Sequence, residues 1–178
     1  MITLPQFKLF IDVRSYKVKN ADLYAAIVSG MEQCEATTDL RIAMWLAQTA
    51  HETGGYNYFT EFGKDSYFER YEGRKDLGNT EEGDGPRFRG RGFIQITGRA
   101  NYQKASDDLG VDLMTDPTVA AGLDMGALVA AWYWSSRKLN PPSDAGNILR
   151  VTKLINGGYN GLEDRITRYE KAKRALGI

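Results

Sequence analysis

Ala47-Gln48-Thr49-Ala50-His51-Glu52-Thr53-Gly54-Gly55, followed six residues on by Glu61 in Tyr58-Phe59-Thr60-Glu61-Phe62, decides how this chain reads. Ahead of Glu52, the run from Leu40 places Ile42, Trp45, Leu46, Thr49 and Ala50 at helical spacing, which predicts a buried helix ending there. Thr37-Thr38-Asp39 supplies N-cap residues at its start. A glycine pair, free to adopt left-handed backbone, then breaks it. Were the helix to continue, nine more positions would carry Glu61 about 13.5 Å along the axis and onto the opposite face. Broken at Gly54-Gly55, the chain can fold Glu61 back towards Glu52. One carboxyl at the end of a rigid apolar helix and another on a nearby irregular segment form a candidate acid/base pair. Against that stands the rule that most glutamates are simply solvated.

Composition narrows the classes. The chain has 178 residues, 42% of them apolar, enough for a real core, so residues 1–178 read as a single domain. Lysine plus arginine equals aspartate plus glutamate, and nothing global points to nucleic acid or anionic lipid. The single cysteine, Cys34, excludes an intrachain disulfide, and the single histidine, His51, excludes a histidine-based metal cluster. Met1 to Pro5 lacks a basic and then apolar leader, so no signal peptide is expected. The longest apolar run, Gly126 to Trp134, is too short to span a bilayer, and no stable membrane association is expected.

Along the chain, Thr3 caps a short helix through Phe7, Leu9 and Phe10, and Asn20 or Ala21 opens another through Leu23, Tyr24, Ile27 and Val28. Tyr56 to Pro86 loses its period and ends in the turn signal Gly83-Asp84-Gly85-Pro86. Within Phe88 to Thr97, alternation predicts a short strand with Phe93, Gln95 and Thr97 on one face, paired as a hairpin across that turn. Asn101 or Tyr102 to Leu109 reads as a helix stopped by Gly110, and Asp116-Pro117 opens one that reaches about Lys138 and is apolar on nearly every side. Asp144 starts a further helix through Leu149 and Leu154; after the Asn156 to Gly161 turn, Leu162 to Leu176 closes the chain with Ile166, Tyr169 and Leu176 inward. The class is mainly α with one small β-element.

Gln95 and Thr97, with Asn101 close behind, offer neutral amides and a hydroxyl that orient a sugar or an attacking water, and Asn156 in its glycine-rich turn offers another amide. His51 has no serine or cysteine nucleophile motif around it and is read as a hydrogen-bonding support for Glu52. Arg87-Phe88-Arg89-Gly90-Arg91 resembles single-strand nucleic-acid readers, but Glu81, Glu82 and Asp84 lie just upstream; the arginines are expected to brace the hairpin, pair with carboxylates or meet an acidic polymer. Gly90-Arg91-Gly92 lacks the context of a dinucleotide loop, and no cofactor or metal is implied.

Taken in order, Ala50-His51-Glu52-Thr53, Glu61, Gly90-Arg91-Gly92-Phe93-Ile94-Gln95-Ile96-Thr97, Asn101-Tyr102 and Ile155-Asn156-Gly157-Gly158 resemble the motifs of family 19 glycoside hydrolases. Tyr71 to Thr80, with Gly83 to Gly85 and Arg87 to Gly92, looks most like the phage endolysin branch of that chitinase family. The resemblance implies a lysozyme-like, two-lobed, mainly α fold with a small β-hairpin beside the active-site groove. It implies inversion, with Glu52 as general acid, Glu61 as general base, and Gln95, Thr97, Asn101 and Asn156 holding water and glycan. Thr97 stands where plant members frequently carry serine, and either residue brings a hydroxyl. Inverting enzymes separate their carboxyls by roughly 6.5–9.5 Å to admit water. Glu52, at an apolar helix end, should hold its proton near neutral pH, and Glu61, on an open polar segment, should stay ionised.

The function so implied is an endolysin that cuts β-1,4 bonds in the glycan strands of bacterial peptidoglycan during host lysis. It would be a monomer made in the host cytoplasm, acting on the wall or periplasm after a separate holin-like protein opens the membrane. A chitinase acting on N-acetylglucosamine polymers, a lytic transglycosylase and a non-catalytic glycan- or nucleic-acid-binding module stand as alternatives. Residue types leave open which linkage is cut, and Asp65 or Glu69 compete with Glu61 for the base role.

Overall fold

The helix predicted to end at Glu52 is the axis of the fold. In the computed structural model, which describes residues 1–11 and 20–178, α3 (Asp39–Glu52) buries every residue from Ile42 to Ala50. Thr38 caps its start, accepting from the Arg41 amide at 3.4 Å. Arg41 in turn grips both oxygens of Asp144, at 2.7 and 2.6 Å, and ties that end to a later part of the chain. At the far end the Thr53 hydroxyl donates to the Thr49 carbonyl at 2.6 Å and accepts from the Tyr56 amide at 2.9 Å. Gly54, Gly55 and Tyr56 then run consecutively through left-handed backbone, with φ of 56°, 75° and 65°. Two of those positions suit glycine; Tyr56 is held there because its buried hydroxyl bonds the Thr49 hydroxyl at 2.9 Å.

Around α3 pack α1 (Leu4–Phe10), α2 (Asn20–Gln33), α7 (Leu123–Ser136) and α10 (Leu162–Leu176), which share one large apolar cluster. A second, smaller cluster gathers Phe88, Ile96, Leu113 and Ala120 under α6 (Arg99–Leu109). The mainly helical, two-lobed expectation therefore holds. α7 belongs to both lobes: Ala127, Ala130 and Trp134 face the large cluster, Val129 the small one, and Trp132 touches both. That dual membership explains why its sequence is apolar all round.

Four local readings are corrected. No regular strand forms over Phe88 to Thr97; Asp84–Arg87 is a helical turn, α5, and Thr60↔Arg91 and Arg91↔Ile96 are isolated antiparallel bridges. The chain reverses inside Gly92 to Gln95, at φ 79° and 52°, so Phe93, Gln95 and Thr97 do not share a strand face. The cause is packing: Phe93 is drawn into the core against Phe59, ring centroids 4.9 Å apart, and Gly92 presses on α7. The helix expected from Pro117 splits into a 3-10 segment, Pro117–Ala121, and α7, because Gly122 is extended at ψ 154°. Asp144 ends a short α8 (Asn140–Asp144) instead of starting a helix, and Asn147 caps α9 (Ile148–Asn156) by accepting from the Arg150 amide. On α10, Ile166 is partly exposed, and Arg165 turns inward with Tyr169.

Asp84, fully buried, locks the segment after the irregular stretch. Burial alone would push its carboxyl up, but two bonds from Arg99, at 2.8 and 2.6 Å, and the Glu81 and Thr80 amides hold it below the ordinary carboxylate range. A carboxyl depressed in the folded state contributes stability that is fully present above its unfolded value, near pH 4, and is lost as pH falls through the folded value. Urea unfolding as a function of pH should therefore show a fall below about pH 4 that is shallower in Asp84→Asn. A side-chain carbon on Gly92 would lie 2.7 Å from the Ala120 carbonyl oxygen. Gly92→Ala should cost at least the roughly 1–2 kcal/mol of left-handed strain, visible as a lowered thermal midpoint.

Candidate active site

Between the two lobes lies a cavity of about 270 Å³. Its polar lining is Glu52 from the end of α3, Gln95 and Thr97 from the reverse turn, Asn101 from α6 and Asn156 from the end of α9. These sequence candidates, spread over more than a hundred positions, thus meet at one place. Leu77, Ile94, Tyr133 and Ile155 supply apolar wall. Such a mixture of amides, a hydroxyl, a carboxyl and apolar faces suits a ligand that is part polar and part apolar.

The polar side chains are pre-oriented by the backbone. Gln95 donates to the Gly92 carbonyl at 2.9 Å, which leaves its oxygen as acceptor. Thr97 donates to the Gln95 carbonyl at 3.0 Å, and Asn101 donates to the Thr97 carbonyl at 2.8 Å. Tyr133 donates to the Ile155 carbonyl at 3.0 Å, holding the end of α9 against α7 beside Asn156.

Glu52 is not in the purely apolar setting its helix predicts. Its side chain is 17% exposed, and Arg165, 1% exposed, donates to Oε1 at 2.5 Å. Arg165 also donates to Gln48 Oε1 at 2.5 Å, and Gln48 reaches Thr152 at 3.4 Å. The surroundings of Glu52 are thus charged and polar on the Oε1 side, where the sequence predicted an apolar helix end. His51 does not line the cavity. Its Nδ1 meets Asp164 Oδ2 at 2.6 Å; burial pushes the Asp164 carboxyl up, but Arg168 and His51 outweigh burial and hold it down. An ionised carboxylate only accepts, so Nδ1 carries the proton of that bond. The His51 ring fills the place of a side chain at Gly161, whose Cβ would stand 2.1 Å away, and so fixes where α10 begins.

Glu61 also departs from the open, polar setting expected of it. It does not line the cavity but sits behind Gln95, which does: a carbon on Gly90 would stand 3.0 Å from Gln95 Oε1 and 3.1 Å from Glu61 Oε2. Its own side chain is 23% exposed and anchored on both oxygens. The Gly90 amide donates to Oε2 at 3.1 Å, and the Tyr71 hydroxyl donates to Oε1 at 2.9 Å with Arg70 nearby at 3.4 Å. Of its competitors, Asp65 is exposed and taken up by Arg89, and Glu69, like Asp65 and Glu61, does not line the cavity. The arginine strip spends its donors mainly on the backbone: Arg87 on Met114 and Thr115, Arg89 on Pro86 besides Asp65, and Arg91 on the Arg87 carbonyl and the Tyr102 hydroxyl.

Arg165, Tyr71 and Tyr133 are site residues that sequence reasoning passed over. Arg165 alone had a signal, since it stands four and seven residues before Tyr169 and Ala172 on the inward face of α10. Removing one partner of a buried pair leaves the other uncompensated, so Arg165→Met should lower stability by about 3 kcal/mol. Differential scanning calorimetry should show this as a midpoint drop of roughly 6–12 °C.

Residues 14–151 match the family described as Chitinase class I. A glycosyl hydrolase family 19 domain-containing protein of Haemophilus influenzae is 33% identical over 177 residues, covering 83% of this chain and 86% of that protein. Acidic endochitinase Q of Nicotiana tabacum is 30% identical over 158 residues, 73% of this chain but 58% of its own length. Among solved structures, chitinase C of Streptomyces griseus superposes with a TM-score of 0.79 over 99% of this chain and 92% of that one, at 21% identity, and so shares the fold.

Proposed function

This chain belongs to glycoside hydrolase family 19, and from that premise we propose that it is an endolysin that hydrolyses the β-1,4 bonds of bacterial peptidoglycan with inversion. The observation that carries this reading is where the lysin-like stretch lies. Tyr71 to Gly92, the part of the sequence that resembles phage lysins, contributes Leu77 to the cavity wall and two anchors of Glu61, Tyr71 and Gly90, which supports this reading.

In this mechanism Glu52, with Oε1 occupied by Arg165, delivers a proton from Oε2 to the glycosidic oxygen. A sugar filling the cavity excludes water from around that carboxyl. Glu61 removes a proton from a water that attacks the anomeric carbon from the other face, and Gln95 and Thr97 orient that water. Asn101, Asn156 and the apolar wall hold the glycan, and His51 supports Glu52 through Asp164 and the start of α10. The protein works as a monomer, and a separate holin-like protein gives it access to the wall from the host cytoplasm.

Chitinase activity is the second reading, favoured by the endochitinases among the relatives. Incubation with purified peptidoglycan and with N-acetylglucosamine oligomers separates the two: new reducing ends from peptidoglycan are expected, and ends from chitin alone would overturn the first reading. Glu52→Gln should lower turnover by about 10²- to 10⁴-fold in a protein that still folds. Glu61→Gln should do the same, whereas near-full activity with anhydro-sugar products would assign a lytic transglycosylase.

A further inference from the structure

Glu61 sits on an irregular segment, yet both of its carboxylate oxygens are hydrogen-bonded. The reason lies ten residues along the chain, in the single 3-10 turn Glu69–Tyr71. Arg70 donates to the Tyr71 hydroxyl at 3.0 Å, and that hydroxyl lies 2.9 Å from Glu61 Oε1. A guanidinium has no acceptor, so the Tyr71 oxygen must accept from Arg70, and its only proton must point at Glu61. The bond's direction is thereby fixed without reference to any ligand. Burial and the adjoining Glu61 carboxylate, against the opposing bond from Arg70, hold the Tyr71 phenol above its ordinary value, so it keeps that proton.

Arg70 is half exposed, yet its guanidinium packs against two rings. Its guanidinium carbon stands 3.7 Å from the centroid of the Tyr67 ring and 4.9 Å from that of Tyr71, a cation between two aromatic faces. The turn is braced from behind, because the Asn79 side chain, fully buried, donates to the Tyr71 carbonyl at 2.9 Å and accepts from the Arg99 amide at 2.8 Å. From the other side the Gly90 amide meets Oε2 at 3.1 Å. Oε2 therefore carries the Gly90 amide, and Oε1 the Tyr71 hydroxyl at 2.9 Å with a longer contact from Arg70 at 3.4 Å.

We propose that Tyr71, aimed by Arg70, is the positioning residue that sets the orientation of the Glu61 carboxylate towards the attacking water. This rests on Glu61 being the base. Tyr71 touches no reacting atom; it acts by removing the rotational freedom of the carboxylate before substrate arrives, which is how a small geometric constraint becomes a rate effect.

The test uses Tyr71→Phe, which keeps the ring against Arg70 and Phe68 and deletes only the hydroxyl, assayed on soluble peptidoglycan fragments and on N-acetylglucosamine hexamer. Losing a directed bond to a charged group should lower kcat about ten- to hundredfold, with KM within twofold and the thermal midpoint nearly unchanged. Arg70→Gln, which frees the hydroxyl to rotate and removes the longer contact to Oε1, should give a loss of the same kind. In a Glu61→Gln background Tyr71→Phe should have no further effect. A rise in KM at constant kcat would make Tyr71 a sugar contact, and an undiminished effect in the Glu61→Gln background would place its action elsewhere; either overturns the proposal. Near-full activity of Glu61→Gln itself would instead overturn the base assignment, and that result is read independently of Tyr71.

Discussion

The ion pair between Arg165 and Glu52 is the constraint on which the rest of the molecule depends. It joins the last helix to the central one at the point where α3 ends, and it continues inward through Gln48 to Thr152 on α9. A charge buried as deeply as Arg165 persists only with its partners in place, so α3, α9 and α10 must all be docked before the cavity floor exists. The extensive packing of α10 on α3 supplies the apolar part of that docking. The polar chain supplies its register, because a slide of one turn would strand the guanidinium away from every acceptor it now uses.

The two carboxylates of the site are held by different means. Glu52 rests on a buried cation within the large lobe. Glu61 is fixed by a neutral phenol, a backbone amide and a half-exposed arginine, all from the segment that borders the smaller lobe. The relative placement of the two acids is thus a property of how the lobes meet, and α7 sets that meeting because one helix carries side chains into both clusters. The arrangement gives each acid its own local support while one shared element governs the gap between them.

What could be read directly from the chain was whatever had a strong local signal. Thr38 and the Gly54-Gly55 pair mark both ends of α3 because capping and left-handed backbone are properties of single residues. Alternation over Phe93 to Thr97 was ambiguous, since five residues serve a turn as well as a strand once Gly92 and Gln95 take positive φ. Ile166 and Arg165 exchanged places for a similar reason: apolar character argued for burial, and only the spacing to Tyr169 argued for the arginine. The gathering of Glu52, Gln95, Thr97, Asn101 and Asn156 followed from resemblance and not from periodicity. The partners of Glu61 left no trace, as Tyr71 and Gly90 lie ten and twenty-nine positions away with nothing in between to mark the contact.

The chain has one histidine, and the fold puts it at Asp164 and Gly161, directly before Glu52 in sequence. Every imidazole signal in a magnetic-resonance spectrum of this protein therefore comes from a single ring beside the cavity. Substrate entry, or loosening of the α10 docking, would register there as a change in one isolated set of resonances, without labels, mutations or assignment of the remaining residues. The protein carries its own reporter group where a spectroscopist would have chosen to place one.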